Sequence, residues 1–363
     1  MREIAPAGRL PMLILAMICL LTAALAGLSR LAIVVPTFAQ YQAGSHAALM
    51  IAGFFGTVIS LERAVALHRF WPYLAPLCAG LGGIALLLPA TSGISASLFV
   101  LSASLFLAAS VQVYRQMPAL FTLTLLLGAV SLLIGHLLSL LQVGISLAMP
   151  FWMGFLVLTI AGERLELTRF LPPRPPAKKI FIAVLGLIVV ADAGILFHLP
   201  HASQGLAAGW LMLAFWLFRY DIARHTVKQT GLTRFVAVCL LVAYAWLAIG
   251  ALLGLGGAFE NGHPWRDGAL HAIFLGFVFS MVIGHAPIIF PAVMRVKIPY
   301  HPFFYLPLAA LQLSLALRVL GNLGDWWSVR QLGGVGNALS LALLVLTILI
   351  SVRRGASRSQ PVA

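Results

Sequence analysis

His46-Ala47-Ala48-Leu49-Met50-Ile51-Ala52-Gly53-Phe54-Phe55-Gly56-Thr57-Val58-Ile59-Ser60-Leu61-Glu62-Arg63 sets an uncharged run between one histidine and one acidic–basic pair. A helix rising 1.5 Å per residue needs about 20 such residues to cross a hydrocarbon core of roughly 30 Å. Lipid offers no partner for backbone N–H and C=O groups, so a run of this kind is helical. The stretch reads as a membrane span over 46–67 that carries its ionisable residues at its ends.

The rest of the chain repeats that pattern. Of 363 residues, 61% are hydrophobic and only 9% charged, which excludes an ordinary soluble domain. So much Leu, Ile, Val and Phe also excludes disorder. Apolar runs centre on 9–29, 46–67, 72–90, 94–113, 119–141, 149–166, 179–198, 204–222, 233–257, 268–291, 302–321 and 332–352. The expectation is an all-α polytopic membrane protein of about twelve transmembrane helices, one membrane domain over 1–363. The first run resembles a signal peptide but continues to Arg30 with no small-residue cleavage site, so it counts as a span. Cys19, Cys78 and Cys239 fall singly inside apolar runs and read as small packing residues.

Charge then orients the spans. With twelve crossings, nineteen of the 23 Lys and Arg, from Arg2 and Arg9 to Arg353, Arg354 and Arg358, share a side with both termini. Arg30, Arg266, Arg318 and Arg330 lie opposite. The positive-inside rule therefore places both termini in the cytoplasm, with a bacterial inner membrane as the location. Topology and anionic lipid account for the net charge of +14, and no nucleic-acid partner is implied. Pro172-Pro173-Arg174-Pro175-Pro176 reads as a stiff connector rather than a domain boundary.

A threefold echo runs through spans 2, 6 and 10. Gly53-Phe54, Gly154-Phe155 and Gly276-Phe277 are the chain's only Gly-Phe pairs. Six residues after each Gly stands Ile59, Ile160 or Val282, and nine after it stands Glu62, Glu163 or His285. The unit is then a four-helix arc occurring three times, over about 1–113, 119–222 and 233–352. Secondary transporters usually repeat in twos.

Ionisable residues inside spans are functional-site candidates by default. His46 and His271 open spans 2 and 10, seven and five residues ahead of their Gly-Phe pairs, a depth difference of about 3 Å. Two imidazoles at one depth could ligate one haem iron from both faces; the alternative is that each caps a helix entry. Span 6 has Met149-Pro150-Phe151-Trp152 at that level and no histidine. His136 in span 5 shares the level, as a third ligand, a haem-propionate neighbour or a hydrogen-bonded core residue. Arg318 could snorkel or pair with a propionate. His198 and His201 supply two of the ligands that a copper, iron or zinc site requires, or are solvated loop residues. Glu62, Glu163 and His285 could line an inner proton or quinone entry, or the two glutamates could pair with Arg63 and Arg164 as anchors. His271 and His285, 14 residues apart, fall within about 40° of one face of a regular helix, and Pro287 and Pro291 predict a kink below them. Asp192 in span 7 should face the bundle interior.

Twelve helices, cytoplasmic termini and histidines opening helices 2 and 10 resemble the haem–copper oxidase superfamily. His46-Ala47-Ala48-Leu49-Met50 is similar to the H-[GA]-x-x-M start of helix 2 in that superfamily. The run from His271 to Gly284-His285 and the short loops are similar to NnrS-like proteins, twelve-helix haem- and copper-containing membrane proteins linked to nitric-oxide metabolism. The resemblance implies a haem b held by His46 and His271, and a role in binding nitric oxide or passing electrons from quinol. Helix 6 carries no histidine here, helix 7 offers only His198-x-x-His201, and helix 10 lacks the H-x-H that would hold a second haem. These departures speak against a binuclear haem–copper centre, and whether the chain is an enzyme stays open. The alternative is a twelve-helix secondary transporter of a small solute using Asp192, His136 and Arg318.

Overall fold

In the structure, a computed structural model, residues 3–172 and 174–357 are described. Arg2, Pro173 and Arg358, which the charge and connector readings used, lie outside the described residues. No strand occurs among the described residues. Among the described residues, ten helices are long and apolar enough to cross a membrane: α1 Pro6–Ser29, α2 Ala43–Leu67, α4 Ser92–Gln116, α5 Leu120–Leu140, α6 Ile145–Phe170, α7 Pro175–Leu196, α9 Gly231–Ala258, α10 Arg266–Met294, α11 Pro302–Leu323 and α12 Trp327–Ala356. Two further helices, α3 Trp71–Leu87 and α8 Ala202–Tyr220, stand where spans 3 and 8 were expected. The fold is that of an all-α polytopic membrane protein.

Proline starts several of these helices. Pro6 and Pro175 occupy first-turn positions of α1 and α7, where the missing N–H costs nothing and the fixed φ suits the helix. Pro287 and Pro291 do not break α10: the α-helical segment runs unbroken over Ser280–Met294. The irregularity lies further up, where Ala272–Phe279 winds as a π-helix. Leu49–Phe55 of α2 does the same, with Gly56 N–H reaching back to the Ile51 carbonyl. A third π segment, Gly254–Ala258, closes α9 at Gly257, whose φ of 90° only glycine adopts at no steric cost. By contrast, α6 is α-helical over Ile145–Leu167.

The chain divides into two compact units, Met1–Thr159 with Ile289–Arg295, and Ile160–Ile288 with Val296–Ala363. Within the first, α1, α2 and α3 meet through small residues. A Cβ on Gly83 would fall 2.3 Å from the Cys19 sulfur, and one on Gly53 would fall 2.8 Å from it. Small residues allow this close approach where lipid supplies no hydrophobic drive for helix association. The same unit holds a cluster of Met12, Leu61, Ala64, Tyr73 and Val293. Buried Arg9 anchors one end of it. Its guanidinium donates to the carbonyls of Ile4 and Val293 and to the Glu3 carboxylate. Glu3 also meets His68 at 3.2 Å and Arg295 at 3.4 Å. The His68 hydrogen bond, then the charges of Arg9 and Arg295, hold the Glu3 carboxyl below its ordinary value against some desolvation.

In the second unit each long helix packs against its sequence neighbours, α7 on α8, α8 on α9, α9 on α10 and α11 on α12. The α11–α12 seam is backbone on backbone. A Cβ on Gly333 would stand 2.4 Å from the Arg318 nitrogen, and one on Gly321 would stand 2.5 Å from that of Arg330. Arg164 and Asp221 form a bidentate pair at 2.9 and 3.2 Å, both buried. Arg164 thus pairs across helices with Asp221.

Candidate functional site

His46 begins a single α-helical turn, His46–Ala48, immediately before the π segment of α2. Its Nδ1 lies 2.6 Å from the Ala23 carbonyl of α1. A carbonyl can only accept, so in the neutral ring Nδ1 carries the hydrogen and Nε2 keeps its lone pair. Gly27 gives the ring its place: a Cβ there would stand 2.8 Å from His46 Cε1.

His271 ends the short α segment Arg266–His271, immediately before the π segment of α10. Its Nδ1 lies 2.8 Å from the Asp267 carbonyl and 3.3 Å from that residue's Oδ1. The tautomer is therefore the same as at His46. Asp267 takes a bidentate pair from Arg318, at 3.0 and 2.9 Å, and a third contact from Arg330 at 3.3 Å. Asn322 closes the entry of the helix. Its Oδ1 accepts from Gly268 N–H at 2.8 Å and its Nδ2 donates to the Pro264 carbonyl at 2.9 Å.

The two histidines thus share one local arrangement: a turn of α-helix, a π segment, and a Gly-Phe pair inside that segment. A π segment inserts one residue into the ladder and is frequent at functional sites. The third Gly-Phe copy, in α6, has neither histidine nor π segment.

The profile of a family described as a domain of unknown function (DUF8744) matches residues 9–353, which include both histidines. The chain belongs to the DUF8744 family. Among curated proteins, no relative matches it.

The other candidates of this DUF8744 chain occupy different settings. His136 is buried on α5 and accepts from Trp152 Nε1 at 3.1 Å through its Nδ1. Its neutral ring therefore carries the hydrogen on Nε2, the opposite tautomer from His46 and His271. Phe99 stacks on it at 5.5 Å and Trp152 meets it edge-on at 5.8 Å. This is the setting of a hydrogen-bonded core residue. Its donor comes from the Met149–Trp152 stretch, which had shown only a missing histidine in the sequence.

Arg318 is committed to Asp267. His285 turns its Nδ1 onto the Met281 carbonyl of its own helix at 2.8 Å. The shared face expected for His271 and His285 assumed 100° per residue throughout, and the π segment over Ala272–Phe279 removes that basis. Glu62 is half-buried on α2 in the first unit, whereas Glu163 is half-buried on α6 in the second. Asp192 is buried on α7, and its Oδ1 has no hydrogen-bond partner among the described residues.

His198 and His201 are exposed in the turn between α7 and α8, both left-handed, with φ of 53° and 61°. Among the described residues no group of three or more His, Cys, Asp or Glu side chains gathers as metal donors. Among the described residues, no third side chain of these types joins His198 and His201. In the neutral tautomers of His46 and His271 the lone pair is on Nε2, the nitrogen that ligates a metal when Nδ1 carries the hydrogen.

Asp267, Asn322 and Arg330 were missed in the sequence. The signal for Asp267 was its place four residues before His271, one helical turn away.

Proposed function

We propose that this chain is a haem-binding integral membrane protein of twelve transmembrane helices, with His46 and His271 as axial ligands of a haem b. The observation that carries the reading is the duplicated arrangement of histidine, π segment and Gly-Phe pair at α2 and α10, absent from α6. The Nδ1–carbonyl contact at each histidine supports it, because that contact orients metal-ligating imidazoles generally. The resemblance to NnrS-like proteins and haem–copper oxidases points the same way. Bound haem iron would supply one-electron chemistry, with quinol as donor, or a binding position for nitric oxide. Two protein ligands favour electron transfer; binding a gas requires one of them to leave. The charge distribution supports a bacterial inner-membrane location with cytoplasmic termini.

The test is a reduced-minus-oxidised spectrum of protein purified with haem supplied, repeated for His46→Ala and His271→Ala. A b-type α-band lost or shifted in both variants is expected. A colourless wild type sinks the reading.

One observation favours a transporter instead. The buried Asp192 side chain, whose Oδ1 has no hydrogen-bond partner among the described residues, is the kind of group that carries protons or cations through a bundle. Solute or proton movement by colourless protein in proteoliposomes, abolished by Asp192→Asn, would establish it.

A further inference from the structure

We propose that Asp267 is the positioning residue for His271, fixing the tautomer and direction of its imidazole and placing a carboxylate behind the ligand. Four contacts converge on this side chain. Arg318 Nε and Nη2 grip its two oxygens at 3.0 and 2.9 Å, Arg330 Nε reaches Oδ2 at 3.3 Å, and His271 Nδ1 stands 3.3 Å from Oδ1. The residue's own carbonyl accepts from the same Nδ1 at 2.8 Å. Asp267 therefore meets His271 twice, through backbone and side chain, and its χ angles are set from α11 and α12 by Arg318 and Arg330.

The geometry fits the carboxylate–histidine–metal arrangement, in which the outer carboxylate orients the ring and raises the basicity of the ligating nitrogen. Two guanidiniums against one carboxylate leave the cluster cationic. This offsets the cost of holding an anion beside a half-buried imidazole. His46 is mounted otherwise, on the neutral carbonyl of Ala23. The pair of histidines is thus electronically unequal, and Asp267 is the source of the inequality. As regards haem, this inference rests on the reading above. The claim about His271 itself concerns the protein alone.

The experiment therefore has two arms on the full-length protein. In the first, ¹⁵N-histidine NMR of haem-free wild type and Asp267→Asn reads the tautomer of His271, assigned with His271→Gln. The wild type should be in the Nδ1–H form. The Asp267 carbonyl keeps the ring in that form in every variant. Asp267→Asn should therefore shift the His271 Nδ1–H signal through the lost carboxylate contact, and Asp267→Glu should restore the wild-type signal. In the second arm, haem b is titrated into the same proteins. Asp267→Asn should hold haem roughly 10–100-fold less tightly and at a more positive midpoint potential, with Asp267→Glu between. If the lone variant does not fold because two cations lose their counterion, Asp267→Asn with Arg318→Gln restores the balance and takes its place. A wild type that binds no haem overturns the haem reading and leaves the NMR arm to judge Asp267. An unchanged His271 Nδ1–H signal in Asp267→Asn overturns the positioning role of the carboxylate, whatever the haem result.

Discussion

The mounts of His46 and His271 make the most instructive comparison in this chain. Locally they are alike: each histidine precedes a π segment that contains a Gly-Phe pair. Their support differs. His46 is held across a helix–helix contact, against the bare backbone of Gly27 and the carbonyl of Ala23 on α1. His271 is held within its own helix, by Asp267 one turn earlier, and that turn is pinned by Arg318, Arg330 and Asn322. One mount depends on close packing and the other on charge. The same local arrangement is thus held by two different sources of rigidity, and substitution should separate them.

Arg318→Ala should have the largest effect. Removing one partner of a buried ion pair costs about 3–5 kcal/mol, and the remaining Arg330 contact and partial exposure of Asp267 reduce this to about 2–3 kcal/mol. Thermal unfolding in detergent should show the loss, and an unchanged midpoint would mean that charge does not hold the His271 mount. Gly27→Ala should come next, at about 1–3 kcal/mol for overpacking, because the new Cβ would meet the His46 ring at 2.8 Å. This variant should also disturb the ¹⁵N signals of His46 and spare those of His271. A silent Gly27→Ala would erase the contrast between the mounts.

The smallest effect concerns the first unit's own charged cluster, which gathers around Glu3 rather than around His46. Glu3 has its carboxyl pKa depressed in the folded protein by His68, Arg9 and Arg295. A depressed carboxyl contributes stability that is present above its ordinary value of 4.5 and is lost as pH falls through the lower folded value. Stability should therefore decline on acidification below about pH 4.5, and Glu3→Gln should flatten that part of the profile. An identical slope in the variant would remove Glu3 from the account.

The architecture was legible because hydrocarbon thickness imposes a length on every span, and apolar runs report length directly. All twelve runs fall on helices, ten of them long and apolar enough to cross. Span 10 was drawn over 268–291, which left Asp267 outside it, whereas the helix begins at Arg266. The π segments were illegible for a different reason. They reflect one residue too many in a hydrogen-bond ladder, and no residue type marks that excess. Pro287 and Pro291 sit within continuous helix, so they mark no helix end. His136 could be placed only once Trp152, sixteen residues on, was seen to donate to it.

The α11–α12 seam has a consequence for how sequence can drift in this half of the chain. Leu339, Leu346, Leu349 and Ile350 are exposed on α12, where any apolar side chain satisfies the surrounding lipid. Gly321 and Gly333 meet the backbones of Arg330 and Arg318 too closely for a single methyl to fit. Mutational tolerance along α12 should therefore alternate sharply, with free exchange on one side and none on the other. The forbidden side lies against the backbone that carries Arg318, so a lesion in the seam would act on His271 through the guanidinium that sets Asp267.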